Sequence, residues 1–138
     1  MALPEKHLIV KKSQLPGCGK GLFTKINITK GTRILEYKGR IQPWKEVKDE
    51  DGYNGYLLRI NWQTTINALS YKKALGRYAN DARGLIKIKG LRNNAEYVTE
   101  GRRCFIEATR AIRKDEEILV GYGKEYWKLI RKILKVIH

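Results

Sequence analysis

The chain has 138 residues, with 29 lysines and arginines against 14 aspartates and glutamates, so its formal net charge is +15. At roughly 100–200 residues per domain, this length allows one domain and excludes a two-domain enzyme. The hydrophobic share of 42% is spread along the chain and argues against disorder, although 31% of the residues are charged.

Short apolar or β-branched segments separated by glycines predict a β-rich chain with tight turns. In chain order, the predicted strands are residues 8–10, 21–24, 32–39, 56–60, 96–99, 103–109 and 117–120. A short helix is predicted at 43–47, because proline suits the first helical turn. A further helical turn is predicted at 70–75.

Residues 124–138 form the clearest predicted helix. Apolar residues recur there at three- and four-residue steps, while lysines and arginines share the opposite side. Packing of this basic, amphipathic helix against the domain is the simplest interpretation. A homodimer contact, nucleic acid and an anionic membrane surface are the alternatives.

The cysteine count and the hydropathy pattern bear on the compartment. Cys18 and Cys104 are too few for a four-ligand zinc site or a disulfide framework, so we expect a reducing compartment. The apolar run at 8–10 is too short for a secretory leader, and no stretch approaches the roughly 18 apolar residues of a membrane span. The sequence therefore predicts a soluble intracellular protein of the cytoplasm, nucleoid or nucleus, with no membrane partner.

Four groups of residues are candidates for function. In the first, at 15–23, glycines at alternate positions suit a sharp turn or a close approach to a ligand, and neither a Walker nor a dinucleotide fingerprint fits. The second, at 29–39, ends in Glu-Tyr-Lys-Gly. The third contains Arg-Tyr-Ala-Asn at 77–80 and Asn-Asn-Ala at 93–95, and the fourth runs from 111 to Tyr122 and Gly123.

In this order the motifs resemble the SET domain of protein lysine methyltransferases. The resemblance covers about residues 8–127, and by size the chain is most similar to the small stand-alone viral and bacterial members. It implies one α+β, mostly β domain over residues 1–138, built from several short sheets. It also implies that the C-terminal segment is threaded beneath a loop as a pseudoknot, ahead of the C-terminal amphipathic helix.

The resemblance further implies methyl transfer from S-adenosylmethionine to a protein lysine, with S-adenosylhomocysteine as product and no metal. The lysine amine starts near pKa 10.4 and has to lose its proton, which desolvation and a nearby sulfonium both favour. Aromatic walls suit this task because they remove water from the alkyl stem and tolerate the cationic product. A tyrosine hydroxyl and backbone carbonyls can then align the amine.

Matching positions of the motifs give the expected site residues. Tyr122 is predicted to be the catalytic tyrosine, with Tyr37 and Tyr97 beside it. The remaining predicted channel residues are Tyr56, Val120 and Tyr126. The predicted cofactor-binding residues are Gly19, Lys20, Gly21, Leu22, Asn80, Asp81 and Trp127, with Trp127 stacking on the adenine. Plain structural packing is the alternative for Tyr122, Tyr37, Tyr97 and Trp127.

The sequence departs from the family pattern at two positions. Asp81 stands where the family has a histidine, and Asn93 where it has a proline. Aspartate can substitute if the histidine acts through its backbone, whereas loss of an anchoring ring would cost stability or cofactor affinity. An additional basic segment at 83–92 is either a partner-reading loop or a basic hairpin. Val120 is expected near the active site, with the Tyr97 ring filling the space beside it. Since the number of methyl groups depends on the room around the amine, this arrangement favours monomethylation as a hypothesis.

The charge pattern bears on the substrate. A charge of +15 favours polyanionic partners, nucleic acid first, although a solvated basic surface is the alternative. Because basic substrates would be repelled, we expect acids at the peptide groove, from Glu46, Asp49, Glu50 and Asp51 or from residues 115–117. The substrate is expected to be a histone or another basic, nucleic-acid-associated protein. The competing interpretation is a catalytically weak binding module for nucleic acid or nucleoprotein.

Overall fold

A computed structural model describes residues 2–137, and side chains through residue 135. Strands dominate, and the helices are few. The elements are β1 (Leu8–Lys12), β2 (Lys20–Thr24), β3 (Arg33–Glu36), β4 (Arg40–Pro43), α1 (Trp44–Val47), β5 (Leu57–Arg59), β6 (Thr64–Asn67), β7 (Ala95–Glu100), β8 (Arg103–Ala108), β9 (Glu117–Ile118) and α2 (Lys124–Ile137). Short 3-10 turns lie at Glu5–His7, Lys48–Glu50 and Leu75–Tyr78.

The strands form three small antiparallel sheets. Their orders are β1-β2-β9, β3-β8-β7 and β4-β6-β5. Each predicted strand coincides with or overlaps a strand of the structure, and the α+β, mostly β prediction is confirmed. The strand predicted at 32–39 is too long, because β3 covers only Arg33–Glu36 and a separate strand, β4, begins at Arg40.

Two strands and one helical turn differ from the predictions. Strands β4 and β6 were not predicted, since both are short and polar and β4 ends in a proline, which only an edge strand tolerates. The helical turn predicted at 70–75 is wrong, because the helical residues are Leu75–Tyr78. Their position places the following segment, 79–81, beside the C-terminal part of the chain.

The principal core joins two of the sheets. Its fully buried side chains come from strands β2, β3, β8 and β9 and from the segment after β9. They include Leu22, Ile34, Ile106, Ile118 and Val120. Because successive side chains of a strand point to opposite faces, the consecutive buried positions in β2, β3 and β8 show that both faces of these strands are covered. Burial of this apolar area is the main stabilising contribution.

The segment that follows β9 passes between two distant parts of the chain. Leu119 forms a parallel bridge with Asn80, and Val120 forms one with Ala95. The buried side chain of Asn94 fixes this crossing, since its Nδ2 donates to the Glu117 carbonyl and its Oδ1 accepts from Leu119 N–H, both at 2.9 Å. The crossing delivers Tyr122 to the neighbourhood of residues 79–81.

Helix α2 packs back on the domain, in agreement with the simplest interpretation of its pattern. The Leu129 and Ile133 side chains lie against Gly52, where any Cβ would collide with them. Gly52 also has φ +83, which favours glycine. His138, predicted as the last helical residue, lies outside the described residues. Of the helices within residues 2–137, none combines the length and apolarity needed to cross a membrane.

Candidate active site

A cavity of about 280 Å³ opens between helix α2 and the sheets. Four of the predicted tyrosines line it, and nonpolar and charged side chains complete its walls. The lining tyrosines are Tyr37, Tyr97, Tyr122 and Tyr126. They come from the end of β3, from β7, from the segment after β9 and from α2, so only the folded chain brings them together.

The tyrosine rings contact one another in a continuous series. Tyr37 and Tyr97 meet edge to face with ring centroids 5.9 Å apart, and Tyr97 lies nearly parallel to Tyr122 at 6.3 Å. Tyr126 closes the series edge to face on Tyr122, at 5.3 Å. These geometries are the favourable ones for aromatic pairs, so the rings hold each other in place.

Two tyrosine hydroxyls are bonded to backbone carbonyls. Tyr122 donates to the Ala79 carbonyl, and Tyr37 donates to the Tyr56 carbonyl at 2.9 Å. Burial raises the pKa of Tyr37, Tyr97 and Tyr122 well above the ordinary value of 10.0. These side chains are therefore neutral phenols near neutral pH, and the cavity presents hydroxyl groups and ring faces.

Charged side chains border the same cavity. Arg77 donates to the Ala68 and Leu69 carbonyls, and its guanidinium stacks 3.7 Å from the Tyr56 ring centroid. Arg59 donates to the Trp62 carbonyl and stacks on two tryptophans. By contrast, neither Asp51 nor Glu125 forms an ion pair with another residue that the structure describes. Both carboxylates are free to meet a cationic ligand.

A second, larger cavity of about 750 Å³ lies along the other side of residues 121–127. Gly121, Gly123 and Trp127 line it, together with Asp81, Asn93, Glu125 and five cationic residues. The cationic residues are Arg83, Lys87, Lys124, Lys128 and Arg131. Glu125 borders both cavities, and Tyr122, which lines the first, stands in sequence between Gly121 and Gly123, which line the second.

Three predicted cofactor-binding residues cluster at the start of β2. Gly19 and Lys20 are exposed, and a Cβ at Gly19 would meet open space. Asn80 donates to the Lys20 carbonyl at 3.0 Å, so it ties the glycine-rich turn to the chain crossing. Their binding role remains a prediction.

Gly21 and Leu22 face the interior. A Cβ at Gly21 would collide with the carboxylate of Glu117, and Leu22 is fully buried between its strand partners Val10 and Ile118. That the backbone of these two residues binds cofactor stays a prediction, while strand pairing places the Leu22 side chain in the core. At position 21 a glycine is required because the backbone closely approaches the Glu117 carboxylate.

Two predicted channel residues lie away from the cavity surface. Val120 is fully buried, because its backbone pairs with both Asn80 and Ala95 and its side chain enters the core. The Tyr56 ring packs under Arg77, and only its carbonyl reaches the Tyr37 hydroxyl. Val120 thus does not line this cavity, whereas Tyr97 does. Monomethylation stays a prediction.

The predicted acidic windows also need correction. Of the acids at 46–51 only Asp51 lines the cavity, and the Glu50 carboxylate accepts instead from the Asn54 side chain. In the second window Glu117 is 1% exposed and accepts hydrogen bonds from Ser13 and Gln14. Glu117 thus serves the fold as a buried residue of β9, while Asp115 is exposed and neither it nor Glu116 lines the cavity.

Trp127 and Asp81 interact directly. The Trp127 ring stacks on Tyr122 with centroids 5.7 Å apart, and its Nε1–H donates to Asp81 Oδ2 at 2.7 Å. A Cβ at Gly84 would lie 2.5 Å from Trp127 Cζ2, so the backbone at 84 packs closely on the indole. Stacking of Trp127 on an adenine remains a prediction.

Sequence reasoning missed several residues of the site. The Ala79 carbonyl, Glu125 and Leu129 carry no motif signal of their own, since an alanine backbone and helical side chains gain a role only through their neighbours. One signal was available for Ala79. It immediately precedes the motif asparagine, and the hydroxyl of a buried channel tyrosine needs an acceptor, such as a carbonyl, for its hydrogen bond.

This chain is similar to known proteins in both sequence and fold. The sequence profile of the SET domain matches residues 19–123. Histone-lysine N-methyltransferase EZH2 of Chaetomium thermophilum (strain DSM 1495 / CBS 144.50 / IMI 039719) is 31% identical over 143 residues, covering 94% of this chain. The chain spans only 9% of the length of that relative.

Two solved structures share the fold. One is a humanized mutant of the Chaetomium thermophilum Polycomb Repressive Complex 2 bound to the inhibitor GSK126, with a TM-score of 0.70 and 24% identity over 95% of this chain and 16% of that chain. The other is the methyltransferase domain of human PR domain-containing protein 2, with a TM-score of 0.63 and 22% identity over 86% of this chain and 78% of that one.

Proposed function

This chain belongs to the SET domain family, and we propose that it is a protein-lysine N-methyltransferase that uses S-adenosylmethionine. The observation that carries the proposal is the tyrosine-walled cavity in which the Tyr122 hydroxyl is fixed on the Ala79 carbonyl. Ring faces suit the alkyl stem of a lysine and a methylated ammonium. Carbonyl and hydroxyl oxygens can accept hydrogen bonds from the lysine amine.

The proposal is tested by methyl transfer from radiolabelled S-adenosylmethionine into fractions of a host lysate and into basic peptides. Incorporation into protein lysines supports it. Absence of transfer, combined with calorimetric uptake of S-adenosylmethionine, would point to a catalytically weak binding module. Absence of both would leave nucleic-acid binding by the basic surface as the remaining interpretation.

We assign the cofactor to the larger cavity. Nucleoside and amino-acid groups need an aromatic surface and exposed backbone, and the cavity offers the Trp127 indole, Gly121 and Gly123, with open space at Gly123. Asn93 and the backbone of Asp81 are the polar groups that would hold it, since the Asp81 carboxylate already accepts protein hydrogen bonds. When bound, S-adenosylmethionine supplies the methyl group that the lysine nitrogen accepts.

The residues of this chain would then act mainly by alignment. The buried tyrosines displace water from the lysine stem, which lowers the pKa of the amine and favours its neutral, nucleophilic form. Tyr122 and the Ala79 carbonyl restrict the direction from which the nitrogen approaches, and such orientation supplies a large share of rate enhancement in two-substrate reactions. No strong acid is required, because positive charge passes from sulfur to nitrogen.

The pH profile is one expected consequence. Because burial raises the pKa of Tyr122 and Tyr97, both stay protonated at their ordinary pKa of 10.0, whereas the substrate amine loses its proton as the pH rises toward that value. We expect kcat/KM to rise from about pH 7 to about pH 10 without a descending limb. A descending limb that Tyr122→Phe abolishes would contradict the assigned tyrosine state.

A preference for basic substrates is a second consequence. Asp51 and Glu125 border the cavity without ion-pair partners among the described residues, whereas Arg59 and Arg77 are held by carbonyls and rings. We expect the double variant Asp51→Asn/Glu125→Gln to lose about fivefold in kcat/KM on lysine peptides with basic flanks, since each solvated pair contributes up to about 1 kcal/mol.

The matched control for this prediction is Glu46→Gln/Asp49→Asn, which makes the same change in net charge on exposed residues outside the cavity. It should leave kcat/KM within about twofold, because screened distant charges contribute little. Peptides with neutral flanks should not distinguish the two double variants. Equal losses in both would assign the effect to overall charge.

A further inference from the structure

The Asp81 carboxylate joins three separate segments of the chain. Its Oδ1 accepts from Arg83 N–H and Asn93 Nδ2–H, both at 2.8 Å. Its Oδ2 accepts from Tyr122 N–H at 2.9 Å and from Trp127 Nε1–H at 2.7 Å. The residue is only 6% exposed. Since a carboxylate has about four lone-pair sites, these protein donors use its full capacity.

Helix α2 depends on this carboxylate for its polar attachment. Within the part of the chain that the structure describes, the Trp127–Asp81 hydrogen bond is the only hydrogen bond or ion pair between α2 and the rest of the domain. The other contacts are nonpolar, from Tyr126 and Trp127 on Tyr122 and from Leu129 and Ile133 on Gly52. Apolar contacts alone permit sliding, whereas a hydrogen bond to a buried carboxylate fixes one position.

Helix α2 also supplies part of the smaller, tyrosine-walled cavity that we propose for the substrate lysine, called the lysine cavity below. Glu125, Tyr126 and Leu129 line it, and Trp127 lines the larger cavity on the other side. A displacement of the helix would therefore open both cavities at once. The same carboxylate draws Arg83 N–H inward, which brings Gly84 against the Trp127 indole.

We propose that Asp81 is a positioning residue that latches helix α2 on the domain and thereby keeps Tyr126 in the wall of the lysine cavity. This inference rests on the proposed function for its kinetic readout only. The latch requires an acceptor-only side chain with two oxygens. A histidine at this position has at most one acceptor nitrogen and could not receive the same set of donors.

The test compares Asp81→Asn, Asp81→His and Trp127→Phe in the full chain by hydrogen–deuterium exchange and by kinetics. The asparagine variant keeps the size of the side chain but turns an NH₂ group toward two of the donors. We expect faster exchange in α2 with unchanged protection in β7 and β8, and a KM for peptide raised about tenfold. Trp127→Phe, which lacks the Nε1–H donor, should show the same pattern, and the double variant should lose little more than either single variant.

Glu107→Gln is the matched control, because it removes a half-buried carboxylate that pairs with Arg33 at 2.8 Å, away from both cavities. It should leave α2 exchange and the peptide KM unchanged. If Asp81→Asn fails to fold, Trp127→Phe carries the test alone. Wild-type exchange in α2 of Trp127→Phe, or wild-type KM in Asp81→His, would overturn the proposal. Hydrogen–deuterium exchange in α2 tests the attachment of the helix by Asp81 even if no methyl transfer is found.

Discussion

Replacement of Tyr122 by phenylalanine is expected to lower kcat for methyl transfer by about 100-fold or more. The substitution removes one oxygen and keeps the ring, so the contacts with Tyr97, Tyr126 and Trp127 remain. The variant loses the hydroxyl that donates to the Ala79 carbonyl in the cavity that we propose for the substrate lysine. The measurement is single-turnover transfer of a radiolabelled methyl group at saturating peptide and cofactor.

The control is Tyr53→Phe, which removes the hydroxyl of a tyrosine that is 70% exposed and outside the cavity. Its rate should equal that of the wild type. Calorimetry should show that Tyr122→Phe still binds S-adenosylmethionine, since the cavity along Trp127 is unchanged. A Tyr122→Phe variant within threefold of wild-type kcat would show that the hydroxyl takes no part in the reaction.

The substitution Asn94→Asp is expected to reduce the free energy of unfolding by about 3 kcal/mol. Asn94 is 1% exposed and both donates to Glu117 and accepts from Leu119 at the chain crossing. An aspartate retains the acceptor but cannot donate when ionised, and it places a charge against the Glu117 carbonyl oxygen. Urea denaturation at neutral pH, followed by circular dichroism, gives the change.

Asn61→Asp is the matched control for this change. The Asn61 side chain only accepts, from Gln63 N–H and Thr64 N–H in an exposed turn, and an aspartate does the same. Its unfolding free energy should stay close to that of the wild type. If Asn94→Asp were equally stable, the side chain would not be what holds the crossing together.

Much of the fold was accessible from the sequence because the strands are short, apolar and bounded by glycines. The strand at 103–109 and the helix beginning at 124 agree closely with β8 and α2. Strands β4 and β6 could not be predicted from the sequence, for a physical reason. Their residues are polar and form strands because they pair with each other, a condition that no local pattern contains.

At the candidate site, too, the sequence identifies the residues, while the fold decides where their side chains lie. Tyr37, Tyr97 and Tyr122 were predicted from the motifs and Tyr126 from the helix that follows them, and the fold collects all four around one cavity. Val120, at an equally suggestive position, enters the core instead, because pairing on both sides of its backbone fixes its direction. A motif marks a residue, but the surrounding strands decide which way its side chain points.

The sequence by itself determined the family, the strand-rich class and the identity of the aromatic residues, because these follow from residue types and their order. Only the tertiary structure decided which acid borders the cavity, which carbonyl receives the Tyr122 hydroxyl and what Asp81 does. Asp81 and Trp127 are separated by 46 positions, and their hydrogen bond exists only once the chain has crossed between Asn80 and Ala95. Contacts of that separation depend on the whole fold, which is why the unusual aspartate was visible in the sequence while its four donors were not.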